Sequence, residues 1–340
     1  MPDNGIRPDG EDRSAGATEA DEDLVEARAE AVAAEGGPRA SWMAGLAAEP
    51  GVAKPDPILV VDGLTRSFGG LRAVAVDRLE VQRGTITALI GPNGAGKTTL
   101  FNLLTGFDRP DQGRWSFDGR PVVRPRAHRI ARMGMVRTFQ LTKALTRLTV
   151  LENLMLGAAG QRGEGMATSL LRPVWRRQER EVRERAERLL DRFGLLRMHG
   201  EYAGTLSGGQ RKLLEMARAL MAGPALVMLD EPMAGVNPSL TQSLLRHVTD
   251  LRDEGMTVVF VEHDMDVVMG ISDWVVCMAQ GSVIAEGPPD AIGQDERVIE
   301  AYLGSVDAET EALGPVERPA GGAGDADDAG DADDEPGAGE

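Results

Sequence analysis

Residues 91–98 read Gly91-Pro92-Asn93-Gly94-Ala95-Gly96-Lys97-Thr98, followed by Thr99, which is the spacing G-x-x-x-x-G-K-[ST] of a phosphate-binding loop. Glycines let consecutive backbone N–H groups turn toward one point, and a helix opening at Lys97 adds the positive end of its dipole there. Lys97 supplies a mobile charge for the β- and γ-phosphates, and the Thr98 hydroxyl is placed to ligate Mg²⁺. The pattern points to a nucleoside triphosphate as ligand. Downstream, the apolar run Ala225 to Leu229 ends in Asp230 and Glu231. A strand that brings acids to its C-terminal edge beside a phosphate loop suits Asp230 to hold Mg²⁺, usually through water, and Glu231 to polarise an attacking water as general base. At Leu206-Ser207-Gly208-Gly209-Gln210 a serine and two glycines precede an amphipathic helix, a second anion site separate from the first.

These groups need a scaffold that presents strand ends and helix N-termini side by side. Short, β-rich, nearly continuous apolar runs at Ile58 to Val61, Thr85 to Ile90, Leu226 to Leu229 and Thr257 to Val261 have the pattern of strands buried on both faces. Helical patterns lie between them, which predicts an α/β fold with a mainly parallel central sheet. Trp274 to Met278 and Ser282 to Ala285 flank Ala-Gln-Gly, a hairpin signal. From about 141 to 222 strand signals vanish, and a helical subdomain is expected. Within it, residues 176–192 alternate in charge, with Glu179/Arg183, Glu181/Arg185 and Glu184/Arg188 at i,i+4 spacing and a thin stripe of Val182, Ala186, Leu189 and Phe193.

The 340 residues carry a formal charge of −17, unevenly placed. Residues 1–50 hold twelve acids against four arginines and 306–340 hold twelve against one, so the stretch between them is near neutral. Both ends lack the apolar surface that offsets chain entropy, and disordered acidic tails are expected over 1–54 and 306–340, leaving a domain at 55–305. No apolar run reaches the roughly 18 residues that span a bilayer. The acidic N-terminus is the reverse of a signal peptide. A lone Cys277 excludes an internal disulfide framework and suits buried apolar filler. The arginines are interleaved with acids, so no nucleic-acid partner is expected.

The phosphate loop, the Asp230-Glu231 strand and the pentapeptide at 206–210 together resemble the ATP-binding cassette (ABC) ATPases over about residues 57–304. The resemblance implies a P-loop cassette with an antiparallel β portion and a helical subdomain, using ATP and Mg²⁺. It implies that Phe68 in Ser-Phe-Gly-Gly-Leu stacks on adenine, and that Gln140 in Arg-Thr-Phe-Gln contacts Mg²⁺ or the attacking water. His263, after Val-Val-Phe-Val-Glu, then contacts the γ-phosphate, and Ser207 with its neighbours reaches a nucleotide held by another subunit. Two cassettes must therefore meet head to tail. Asn237 stands in the D-loop, Ala-Gly-Val-Asn-Pro, where many cassettes carry aspartate, and this bears on how strongly it couples two sites.

The wording of several stretches is similar to one branch, the ATP-binding subunit of branched-chain amino-acid importers: Leu64 to Val74, Leu100 to Phe107, His128 to Gln140, Ala234 to Pro238 and Val298 to Gly304. The segment Gly157 to Gln178 also fits, being longer than in many cassettes. That branch implies a second, shorter ATPase, two membrane permease subunits and an external binding protein, with this chain peripheral on the cytoplasmic face of the membrane. Urea importers carry a closely similar ATPase, since cargo choice lies in the binding protein and permease. A lipopolysaccharide-export ATPase is a further relative, whose Leu-Pro-Gln Q-loop Arg137-Thr-Phe-Gln140 does not match. A soluble cassette acting on ribosomes or DNA is the alternative of another class.

Overall fold

The computed structural model describes residues 43, 45–138, 146–158 and 172–303, with 172–176 as backbone only. Ten strands are present among them: β1 (Pro57–Phe68), β2 (Leu71–Gln82), β3 (Ile86–Ile90), β4 (Gln112–Phe117), β5 (Arg120–Pro121), β6 (Met135–Arg137), β7 (Leu226–Asp230), β8 (Thr257–Val261), β9 (Trp274–Ala279) and β10 (Ser282–Gly287). Six form one sheet in the order β10-β9-β3-β8-β7-β6. From β9 to β6 every neighbour is parallel, while β10 returns antiparallel to β9 as the Ala-Gln-Gly turn predicts.

Every residue of β3 and of β8 is buried, because both faces of this sheet are covered. Side chains alternate between the faces. Ile86, Ala88 and Ile90 of β3, with Val258 and Phe260 of β8, enter one core together with the helices α5 (Gly208–Leu220), α6 (Pro238–Asp253) and α7 (Met265–Ile271). Leu89, Val259 and Val261 enter a second core with α1 (Lys97–Thr105), α2 (Ala127–Met133) and the other sheet. That sheet is wholly antiparallel, in the order β2-β1-β4-β5. Ile58 to Val61 was expected in the parallel sheet; it belongs instead to β1, paired antiparallel with β2 and β4. The apolar residues Ile58 to Val61 stand near the start of a strand of twelve, in which Leu64 is still buried and only Ser67 and Phe68 are exposed.

Between β6 and β7 the described residues form α3 (Val150–Leu156), α4 (Arg172–Arg192), α5 and two short 3₁₀ turns, with one isolated bridge from Thr149 to Tyr202. Along α4 the ion pairs formed are Arg177–Glu181 and Arg183–Glu187, each with arginine on the N-terminal side, rather than the three pairs expected. Ala186 and Leu190, with Phe193 just past its end, bury this helix against α3 and α5, while Val182 and Leu189 are partly covered.

Residues 45–54, assigned above to an acidic tail, are docked on the domain. Met43, Leu46 and Val52 pack on the second core. The Glu286 carboxylate, fully buried, accepts hydrogen bonds from the N–H groups of Gly51 and Val52 and from Trp274 Nε1, and it pairs with Lys54 Nζ at 3.1 Å. Lys54 Nζ also lies 3.7 Å from the centre of the Trp274 ring, and the Lys54 N–H donates to Glu80. A buried carboxylate requires such partners, and here a strap ahead of β1 supplies them. The tail reading therefore ends before residue 45; residues 1–42 and 304–340 lie outside the described residues.

Candidate nucleotide site

β3 runs buried to Ile90 and the chain turns sharply at Gly91, whose φ is 140°. A Cβ on Gly91 would lie 2.0 Å from the carbonyl oxygen of Met278, and one on Gly96, at φ 100°, would lie 2.3 Å from that of Ala73. Glycine is required at both positions, because the loop rests directly on the backbone of β9 and β2. The β9–β10 turn braces it further, since Gly281 N donates to the Ala95 carbonyl at 3.0 Å. Gly96 then caps α1 with no side-chain hydrogen bond, and no acid stands in the first turn. The first-turn N–H groups, which a helix cannot satisfy internally, face the loop as anion donors.

Lys97 Nζ donates to the carbonyls of Gly91 and Pro92 at 2.5 and 2.9 Å. Burial pushes its pKa down, against the opposing pull of Glu231, Cys277 and Asp230. A desolvated ammonium facing two carboxylates is suited to bind an anion that brings its own charge. Cys277 is buried, its thiol pushed up to about 12 by desolvation, as apolar filler should be.

β7 ends at Asp230, beside the loop. Asp230 Oδ2 is paired with Arg137 at 2.5 Å, with both side chains largely buried. Arg137, at the end of β6, also donates to Asn102 Oδ1 at 2.6 Å and lies over the Phe101 ring. Glu231 has φ 45°, a left-handed conformation that costs an L-residue about 1 to 2 kcal/mol. Its N–H bonds the Val261 carbonyl, and Lys212 Nζ of α5 gathers the carbonyls of Glu231, Pro232 and Ala234. A strained residue held by neighbours on two elements marks a place where side-chain direction matters. A cleft of about 320 Å³ opens between α5 and this strand end, lined among others by Thr138, Gly208, Glu215, Asp230 and Glu231.

His263 is exposed, with Nδ1 3.8 Å from the Glu262 carboxylate. Glu262 is buried and joins two segments, accepting from the N–H of Met233 at 2.8 Å and from that of His263 at 3.4 Å. Phe68 is 48% exposed at the end of β1, with Arg66 stacked 4.5 Å from its ring centre. Ser207 caps α5 through a reciprocal box with Gln210; Leu206 is buried beneath it, while Ser207 and Gly208 are exposed and Gly209 is partly covered. Asn237 caps α6, its Oδ1 accepting from Leu240 N at 3.0 Å, a task aspartate performs equally well. Gln140 lies outside the described residues.

Among the described residues no group of three His, Cys, Asp or Glu gathers as a metal cage. The hard oxygens at hand are the exposed Thr98 hydroxyl and the Asp230 carboxylate. That set fits a magnesium ion that keeps water and takes phosphate oxygens, as distinct from one enclosed by protein. Thus the loop, Lys97, Asp230, Glu231 and the β8 end are brought together by neighbouring strands β3, β7 and β8. Arg137, Lys212 and Glu262 were not singled out from sequence, although each touches one of these residues or its loop.

Compared with known proteins, residues 75–234 match the family described as ABC transporter, and residues 282–308 match the branched-chain amino acid ATP-binding cassette transporter family. A probable branched-chain amino acid transport ATP-binding protein, LivG, of Archaeoglobus fulgidus is 42% identical over 254 residues, covering 75% of this chain and 98% of that protein. The high-affinity branched-chain amino acid transport ATP-binding protein BraF of Pseudomonas aeruginosa is 44% identical over 250 residues, covering 73% and 98%. Among solved structures, the ADP conformation of an ATP-binding cassette of an ABC transporter superposes with a TM-score of 0.63 at 36% identity, covering 73% of this chain and 99% of that one.

Proposed function

The chain belongs to the ABC transporter family of ATP-binding cassettes, and within it we propose that it is the ATP-hydrolysing subunit of a branched-chain amino-acid importer. The observation that carries this is the joint presence, in one cassette, of the phosphate loop braced on β9 and the C-terminal segment 282–308 that matches the branched-chain type. Members of the family bind ATP and hydrolyse it to power transport.

In this reading ATP lies with its phosphates on the N–H groups of the loop and α1, and Lys97 leaves the Gly91 and Pro92 carbonyls for the β- and γ-phosphates. The adenine stacks on the ring face of Phe68 that Arg66 leaves open. Thr98, Asp230 and Gln140 would hold Mg²⁺, which would neutralise charge on the phosphate oxygens. Glu231 accepts a proton from the water that attacks the γ-phosphorus, its direction set by the left-handed backbone and by Lys212. His263 bonds the γ-phosphate from the β8 end. Ser207 and Gly208, exposed at the N-terminus of α5, serve the nucleotide of a second cassette, and Asn237 stands at the seam. Each ATP thus contacts both halves and favours the closed pair, and hydrolysis removes that preference.

No helix among the described residues is long and apolar enough to cross a membrane. In this reading the chain sits at the cytoplasmic membrane face, held there by two permease subunits and paired with a second ATPase, while an external binding protein delivers cargo. The test is uptake of labelled leucine, alongside labelled urea, in a deletion strain carrying wild type or Glu231→Gln. Leucine uptake restored only by wild type is expected. Restoration of urea uptake alone would overturn the cargo while leaving the ATPase assignment standing.

A further inference from the structure

Beyond β10 the chain forms α8 (Pro289–Gly293) and then a helix over 296–303. Val298 and Tyr302, four residues apart and so on one face, turn inward: Val298 is 4% exposed and Tyr302 packs on the core that holds β3. The Tyr302 hydroxyl oxygen accepts a hydrogen bond of 2.9 Å from the N–H of Gly91, the first residue of the phosphate loop. The Gly91 carbonyl accepts from Lys97 Nζ, a bond that Lys97 gives up to the phosphates, so the Tyr302 contact is the one that stays. Gly91 also has little room to shift, because its α-carbon lies against the Met278 carbonyl. Burial pushes the Tyr302 pKa up, so the phenol is neutral at physiological pH.

We propose that Tyr302 is a positioning residue for ATP: the C-terminal helix fixes the angle at which the phosphate loop leaves β3, and its docking and nucleotide binding are linked. Linkage runs both ways. A loop held at Gly91 N–H loses less freedom when phosphates arrive, and bound phosphates in turn hold the helix down. The segment that distinguishes the branched-chain type is then part of the nucleotide site as well as a C-terminal extension. This inference rests on residues 91–98 being that site.

The test uses the full chain and Tyr302→Phe, which keeps the ring and removes the hydroxyl. Affinity for a fluorescent ATP analogue should fall by up to about fivefold, the worth of one neutral hydrogen bond, and Tm by no more than a few degrees. In the assembled transporter KM for ATP should rise by a similar factor while the maximal rate is kept. Nucleotide should slow amide exchange in helix 296–303 of wild type and do so less in the variant. Equal affinity and equal exchange in the two proteins overturn the proposal, as does a lower maximal rate at unchanged KM, the mark of a merely structural role. Failure of wild type to bind the analogue would instead overturn the reading of the loop, and the proposal with it.

Discussion

Glu215 sits in α5 with its Oε1 buried and unpartnered, facing the cleft beside Asp230. Burial raises its pKa from an ordinary 4.5 to about 7, in spite of Arg218, Lys212 and Arg211 nearby. The sign follows from proton counting. Between 4.5 and 7 the folded state holds a proton that the unfolded state has lost, so this group's contribution to stability is fullest below 4.5 and falls as pH rises to about 7. Glu215→Gln lacks the titration. Its stability relative to wild type should climb between those pH values and level off above, read from urea midpoints, and a constant difference would contradict the burial argument. The phosphate loop was legible in the sequence because phosphate chemistry dictates glycines and a lysine at fixed spacing. Arg137 and Lys212 were not, since Arg137 meets a carboxylate 93 positions on and Lys212 binds carbonyls about 20 positions on, and neither spacing leaves a local pattern.

At the scale of elements, β3, β7 and β8 were legible because a strand covered on both faces reads as an unbroken β-branched run. The strap ahead of β1 was not. Gly51-Val52-Ala53-Lys54-Pro55 looks like a linker, and its anchor, Glu286, stands 232 positions away from Lys54. Removing residues 1–42 should leave Tm unchanged, whereas removing 1–54 strips the N–H donors and the ammonium from a buried carboxylate. Loss of one partner of a buried pair costs about 3 to 5 kcal/mol, which corresponds to a Tm fall of roughly 10 °C here. Equal melting of the two truncations, followed by circular dichroism, would show that the strap contributes nothing. The ion pairs of α4 are a similar lesson. Spacing allows arginine and glutamate to pair in either direction, and side-chain rotamers on the helix surface decide which.

Among the described residues the cassette is two cores on either side of one mainly parallel sheet, with the phosphate loop, Asp230, Glu231 and His263 at the edge where β3, β7 and β8 end. That placement leaves Ser207 and Gly208 exposed, open to the nucleotide of the second cassette proposed above. In the proposed reading a single chain therefore holds one phosphate loop and one signature that serve different ATP molecules. Fold and family were readable from motif order, because few architectures bring these motifs to one sheet edge. Turnover in this cassette depends on Glu231 as the base. ATP hydrolysis should be measured in the transporter reconstituted with wild type or Glu231→Gln, together with nucleotide retention. The variant should retain ATP while turnover falls about 100- to 10,000-fold, the worth of a positioned base. Wild-type turnover by Glu231→Gln would show that Glu231 is not the base.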